Sequence, residues 1–257
     1  MEEMNVFLTM IYRELKRFIR SPSRIIGSIL NPLLWLIFFG KGWSGVFNFP
    51  MATRIFGGVD YMTYLVPGVV VMTVFDMSFL QGLTIIWDKQ FGFMKEILVA
   101  PASRVESILG RITGGAIVAM IQGFIMVALS FIVANLKVSG VIPTLILAFF
   151  VGVAIAGLGV AVALKMSSME GFQIIVMMLM LPMMFLSGAF YPVRTMPNWM
   201  QWLAKINPLT YAVDGARYYL AGVTPTFGIM QDWIVLILLA LVFAGFAGLE
   251  FRKAYLS

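Results

Sequence analysis

Between Arg111 and Lys165 the chain carries a single charged residue, Lys137, and that run constrains everything else it can fold into. Residues 112–136 and 138–164 are each free of charge, and each exceeds the ~20 apolar residues with which an α-helix crosses the hydrocarbon of a bilayer. No water is present there to bond the backbone, so such runs must satisfy their own N–H and C=O groups as helices. The composition agrees: 61% of the 257 residues are hydrophobic and 12% are charged, proportions that exclude a soluble globular domain.

The expected fold class is all-α, a polytopic membrane protein with six transmembrane helices. Four further apolar stretches, residues 25–39, 61–87, 171–190 and 233–249, join the two above, and the first is interrupted at Asn31-Pro32. Ahead of them, within residues 1–24, Met4, Phe7, Leu8, Ile11, Leu15, Phe18 and Ile19 form an apolar stripe opposite Arg13, Lys16, Arg17 and Arg20. That is the pattern of an interfacial helix on an anionic leaflet, and an anchor explains it as simply as a partner site does. Glycine or alanine recurs at four-residue spacing at Gly110/Gly114, Gly115/Ala119, Gly152/Ala156 and Gly159/Ala163, where helix backbones can approach closely.

Lys and Arg set the orientation. With the N-terminus inside, the inner segments hold twelve of the eighteen basic residues and the outer segments six. Both termini are therefore expected in the cytoplasm, in a multi-pass protein of the plasma membrane. The net charge of +6 belongs to this topology and not to nucleic acid.

The chain has no Cys and no His, so a thiolate metal site, the commonest metal ligand and the usual general base are all missing. No catalytic residue and no metal site are assigned, because an intramembrane enzyme needs a cluster of such groups at depth. Gly40-Lys41-Gly42 lacks the hydroxyl residue and glycine spacing of a phosphate-binding loop, so any ATP used is hydrolysed by another chain. Asp76 is the one acidic residue expected well inside a span. It is either a contact for polar or cationic cargo or a latch between helices, with Thr73 or Ser78 within reach, and an ion-coupled secondary transporter using Asp76 is the alternative reading.

Residues 180–217 begin as an apolar helix, break at Ser187-Gly188, and turn amphipathic after Tyr191-Pro192. Thr195 is placed to cap, Pro197 suits a first turn, and Asn207-Pro208 forces a second short helix carrying Tyr211, Asp214 and Arg217. The density of Trp and Tyr suggests a re-entrant hairpin at headgroup level. The order of Met180, Met183, Leu186, Ser187 and Ala189, then Met196-Pro197, then Pro208-Leu209-Thr210-Tyr211 and Arg217, resembles the signature of type-2 ABC transporter permeases, above all the drug-resistance and lipooligosaccharide-export branches.

The resemblance implies a single transmembrane domain over 1–257: interfacial helix 1–24, spans one and two in 25–87, a cytoplasmic coupling loop at 88–111, spans three to five in 112–190, an outer hairpin at 191–230, then span six and an inner tail to 257. Residues 88–101 by themselves read as a short helix stopped by Ala100-Pro101, a connector on the membrane. By resemblance they are the coupling helix, with Asp88, Phe91, Met94, Lys95, Glu96 and Leu98 docking on an ABC ATPase subunit that binds ATP and Mg. The resemblance further implies an outer gate of Ser187, Gly188, Tyr191, Trp199, Trp202, Pro208, Tyr211 and Arg217. It also implies a second permease copy, a homodimer or a paired non-identical chain, in contact with membrane lipid, with a pathway between spans one, two and five. No cofactor is expected in this chain.

Overall fold

A computed structural model describes residues 5–47, 50–92 and 103–254, and the regular structure among them is entirely helical. In chain order the main helices are α1 (Val6–Ile19), α2 (Pro22–Trp35), α3 (Pro50–Ile55), α4 (Tyr61–Phe79), α5 (Gln81–Gln90), α6 (Arg104–Ser130), α7 (Val141–Leu164), α8 (Met169–Leu186), α9 (Asn198–Ile206), α10 (Pro208–Ala221) and α11 (Ile229–Ala254). Among the described residues, five segments are long and apolar enough to cross a membrane: Tyr61–Gln90, Arg104–Ser130, Val138–Leu164, Met169–Leu186 and Ile229–Arg252. The first expected span is a shorter apolar helix, Ile25–Lys41, so six spans become five plus one short helix. Pro32 lies inside that helix and removes a backbone donor, and the continuation Leu36–Lys41 widens into π geometry.

Other boundaries shift for identifiable reasons. Ser103-x-x-Glu106 reads as a capping box, and the helix does begin there, at Arg104, with the Ser103 hydroxyl accepting the Glu106 N–H; the span drawn from residue 112 therefore extends back and takes Arg111 inside. A cation is tolerated there because carboxylates on two other helices neutralise it. The amphipathic helix starts at Asn198 with Pro197 as its cap residue, whereas the Thr195 hydroxyl donates to the Pro192 carbonyl and caps nothing. The second hairpin helix is less short than expected, running from Pro208 to Ala221 behind the Asn207 side chain, which accepts the Leu209 N–H.

α4 is the axis of the molecule. In Tyr61–Gln90, 83% of the apolar window is buried, against 17% in Met169–Leu186. α6, α7 and α10 pack around α4, α11 lies along α7, and α1 lies along α6. The α1 contact is close because α6 offers glycine: a Cβ on Gly110 would sit 2.6 Å from the Phe7 carbonyl oxygen, and one on Gly114 3.0 Å from the Ile11 Cα. α1 is thus docked on protein through Glu14 and Phe18, both buried, while Leu8 and Ile19 remain exposed. The side of α2 and its continuation bearing Ile26, Leu30, Ile37 and Phe38 and much of α8 are left uncovered.

Candidate functional site

At one end of α4, Arg217 of α10 is buried and held almost wholly by backbone. Its Nε donates to the Tyr64 carbonyl at 3.2 Å, and its Nη2 donates to the Gly188 and Ala189 carbonyls at 2.9 and 3.3 Å. The guanidinium carbon lies 3.7 Å from the centroid of the Tyr64 ring, whose hydroxyl also donates to the Gly188 carbonyl at 3.2 Å. Gly188 ends α8 with φ +78, the left-handed region that a residue with a Cβ enters only at a cost. The Ser187 hydroxyl braces the turn, donating to the Met184 carbonyl at 2.6 Å and accepting from the Ala189 N–H at 3.2 Å.

The expected gate set therefore divides. Ser187, Gly188 and Arg217 meet with Tyr64; Pro208 and Tyr211 are buried beside them, and the Tyr211 hydroxyl donates to the Lys205 carbonyl at 2.6 Å. Burial raises the Tyr211 phenol pKa above its usual value, with Asp232 adding to the shift. Tyr191 is half-buried, whereas Trp199 and Trp202 are 63% and 66% exposed and lie outside the knot. With Leu203 and Ile206 they form an exposed apolar face on α9, suited to headgroup level.

A second buried arginine sits at the other end of the same span. Arg111 reaches Asp88 at 2.6 Å and Glu14 at 3.9 Å, and donates to the Thr84 hydroxyl at 2.9 Å. Arg13 donates to both Asp88 oxygens at 3.2 and 3.0 Å. Two cations and two carboxylates, drawn from α1, α5 and α6, thus balance in one knot. Asp88, expected on the surface of the coupling segment, points inward instead, because both arginines approach it from the bundle. Lys89 is used internally too, donating to the Leu164 carbonyl at 2.6 Å, where it satisfies the end of α7. Phe91 is 81% exposed, while Met94, Lys95, Glu96 and Leu98 fall outside the described residues.

Asp76 faces a cavity of about 370 Å³ walled by α2, α4 and α8, whose lining includes Ser28, Asn31, Thr73 and Met180. Its Oδ1 has no hydrogen-bond partner, and neither nearby hydroxyl serves it: Thr73 donates to the Val69 carbonyl, and the Ser78 hydroxyl also lacks a partner. A latch thus finds no second half among the described residues. Nor is Asp76 alone as a buried acid. Asp232, in the first turn of α11, is fully buried with both oxygens unpartnered, and Asp214 accepts the Thr226 and Phe227 N–H groups at 2.6 and 3.0 Å.

Sequence reasoning passed over Tyr64, Glu14 and Arg111. Glu14 did carry a signal, being the only acidic residue in α1. Arg111 carried one as a cation three residues before two glycines of an apolar run. Tyr64 carried none, since only its position opposite the Ser187-Gly188 turn makes it a partner.

Long apolar helices around one buried axis, with buried arginines tying its two ends, define a polytopic helical membrane protein. The chain belongs to the ABC-2 type transporter family, whose sequence profile matches residues 5–221. It is 30% identical over 213 residues to a protein of Pyropia yezoensis named as a transport permease, ycf38, covering 81% of this chain and 71% of that one. It is 23% identical over 232 residues to the inner membrane transport permease YadH of Escherichia coli (strain K12), covering 87% and 88%. It is 26% identical over 255 residues to the daunorubicin resistance ABC transporter permease protein DrrB1 of Streptomyces coeruleorubidus, covering 95% and 84%. Membership of this family implies association with an ABC ATPase subunit.

Proposed function

We propose that this chain is the membrane-spanning permease subunit of an ATP-driven exporter, which moves hydrophobic small molecules, lipids or lipid-linked sugars outward and is powered by a separate ATPase subunit holding ATP and Mg. The observation that carries this reading is the cavity at Asp76, set on the molecule's least covered side. Its walls include α2 and α8, and in α8 only 17% of the apolar window is buried. A cleft that holds a carboxylate and is flanked by uncovered apolar helices is half of an enclosure. A second copy of this chain closes it and makes a pathway between spans one, two and five.

Six crossings are part of the reading. The helix from Pro22 starts beside α1 and leads to Phe47, whose ring lies 4.9 Å from Tyr61 at the far end of α4. Both termini are then cytoplasmic in the plasma membrane, the Arg111 end faces the cytoplasm and the Arg217 end faces outward. Phe91 and the segment after it engage the ATPase, whose motion reaches the bundle through Asp88.

Reconstitution with the cognate ATPase in lipid vesicles tests this directly. ATP hydrolysis should drive transport, Phe91→Ala with Glu96→Ala should uncouple the two, and the permease alone should have no ATPase activity. Transport driven by an ion gradient without ATP would favour the alternative, an ion-coupled carrier using the unpartnered Asp76. For topology, a cysteine placed at Lys205 in this cysteine-free chain should react with an impermeant reagent from outside; reaction only from the cytoplasmic side sinks the orientation.

A further inference from the structure

We propose that the cleft at Asp76 binds an organic ammonium ion carried on an apolar ring system, with the Asp76 carboxylate as its anchor. The proposal rests on the export reading, but the site follows from an inventory of donors and acceptors. Asp76 Oδ1 has no partner. Ser28 and Thr73 have committed their hydroxyl protons to the Ile25 and Val69 carbonyls at 2.8 and 2.9 Å, so both turn lone pairs to their surroundings. Gln122, which lies behind the lining, donates its amide to Ser28 and takes up one of its lone pairs. Pro32 has no N–H to offer the Ser28 carbonyl one turn back. The lining contains no Lys or Arg. Asn31 brings the lining's one side-chain amide, which donates as well as accepts. Against it stand the Asp76 carboxylate and the Ser28 and Thr73 oxygens, with no cation to supply them, so the complement is a positively charged N–H donor; an anion is repelled.

The ring system follows from the adjoining space. Asn31 also lines a second cavity of about 320 Å³, walled by Leu34, Trp35, Phe38 and Phe39, in which the Trp35 and Phe39 rings stack with centroids 4.9 Å apart. A carboxylate compartment that meets an aromatic one at a shared residue accepts a cationic head in the first and its apolar body in the second. Each cavity is at the lower end of the ~300–1,000 Å³ range of small-molecule sites, and together they fall well within it. Asp76 stays within the bundle wall, where a buried carboxylate needs either a proton or such a counter-ion.

The test is equilibrium binding to the purified full chain in lipid nanodiscs, without ATPase or ATP. The probes are 9-aminoacridine, a planar cation at neutral pH, and acridine, its neutral counterpart. Wild type should prefer the cation; Asp76→Asn should weaken cation binding roughly ten- to hundredfold, the worth of a hydrogen bond to a charged group, and leave acridine binding unchanged. Asp76→Glu should keep the preference. Equal binding of both probes by wild type, or an undiminished preference in Asp76→Asn, overturns the proposal. Should the Asn variant not fold, Asn31→Cys reports independently: 9-aminoacridine should slow its alkylation more than acridine does, and equal rates overturn the site. ATP-driven export of a neutral cargo would survive that failure, while cation binding in a protein that needs no ATP would leave the site standing and remove the export reading.

Discussion

Two buried arginines clamp the ends of one span, and they are held in opposite ways. Arg111 is neutralised by carboxylates of α1 and α5, whereas Arg217 is held by three backbone carbonyls and the face of one tyrosine ring. From Tyr64 to Asp88 the helical rise, at ~1.5 Å per residue, is about 36 Å, between the hydrocarbon and full thickness of a bilayer. Each arginine therefore sits near a membrane boundary, where a cation needs local partners. An ion pair with little exposure to water is costly to break, so the Arg111 knot makes α1, α5 and α6 one stiff body next to the segment proposed to meet the ATPase. Carbonyls are weaker partners and travel with the backbone. The Arg217 knot would therefore exchange its partners if the Ser187-Gly188 turn moved, the property that the proposed outer gate requires.

The largest effect expected from breaking this contrast comes from Arg111→Leu, which strands Glu14 and leaves Asp88 with Arg13 alone. A cost of about 3–5 kcal/mol is expected, read as loss of monodisperse protein and a lower Tm in detergent. Adding Glu14→Gln and Asp88→Asn should recover part of it; no recovery would mean that Arg111 acts through packing and not charge.

Arg217→Leu should cost less, about 1–3 kcal/mol, because the groups it strands are neutral carbonyls. Its mark should be on transport more than on folding, with ATP turnover continuing while export falls. If Arg217→Leu unfolds earlier than Arg111→Leu, the ranking of carboxylate over carbonyl partners is wrong. Lysine sharpens the same point: it should rescue position 111 in part and position 217 hardly at all, since one ammonium cannot match the fork that reaches Tyr64 and Gly188 together.

Gly188→Ala comes next, at about 1–2 kcal/mol for a left-handed residue with a Cβ. That Cβ would also meet the Val193 Cγ2 at 2.7 Å. Measured stability equal to wild type would mean that the turn relaxes without Arg217. Smallest of all, Trp199→Ala and Trp202→Ala should shift folding stability by no more than about 0.5 kcal/mol, because both rings are outside the packed knot. Any larger loss in Tm would place them within it.

The chain's apolar runs determined that it is an all-helical membrane protein. Hydrocarbon leaves a chain no other way to satisfy its backbone, and Val138–Leu164 accordingly has the same limits in sequence and structure. The break at Ser187-Gly188 and the start of α10 after Asn207 were likewise legible, because glycine, proline and capping side chains act on their immediate neighbours. What those neighbours do at a distance was not. Asp88 reads as a surface residue until Arg13 and Arg111 arrive from other helices, and the membrane-spanning part of α6 reads as starting after Arg111 until Glu14 and Asp88 make its charge tolerable inside. Asp76 is visible as an acid inside a span, but its lack of a partner depends on where Thr73 and Ser28 send their protons. Local chemistry sets which segments are helices and where they stop; the pairing of charges across helices is a property of their packing, and only the tertiary structure decides it.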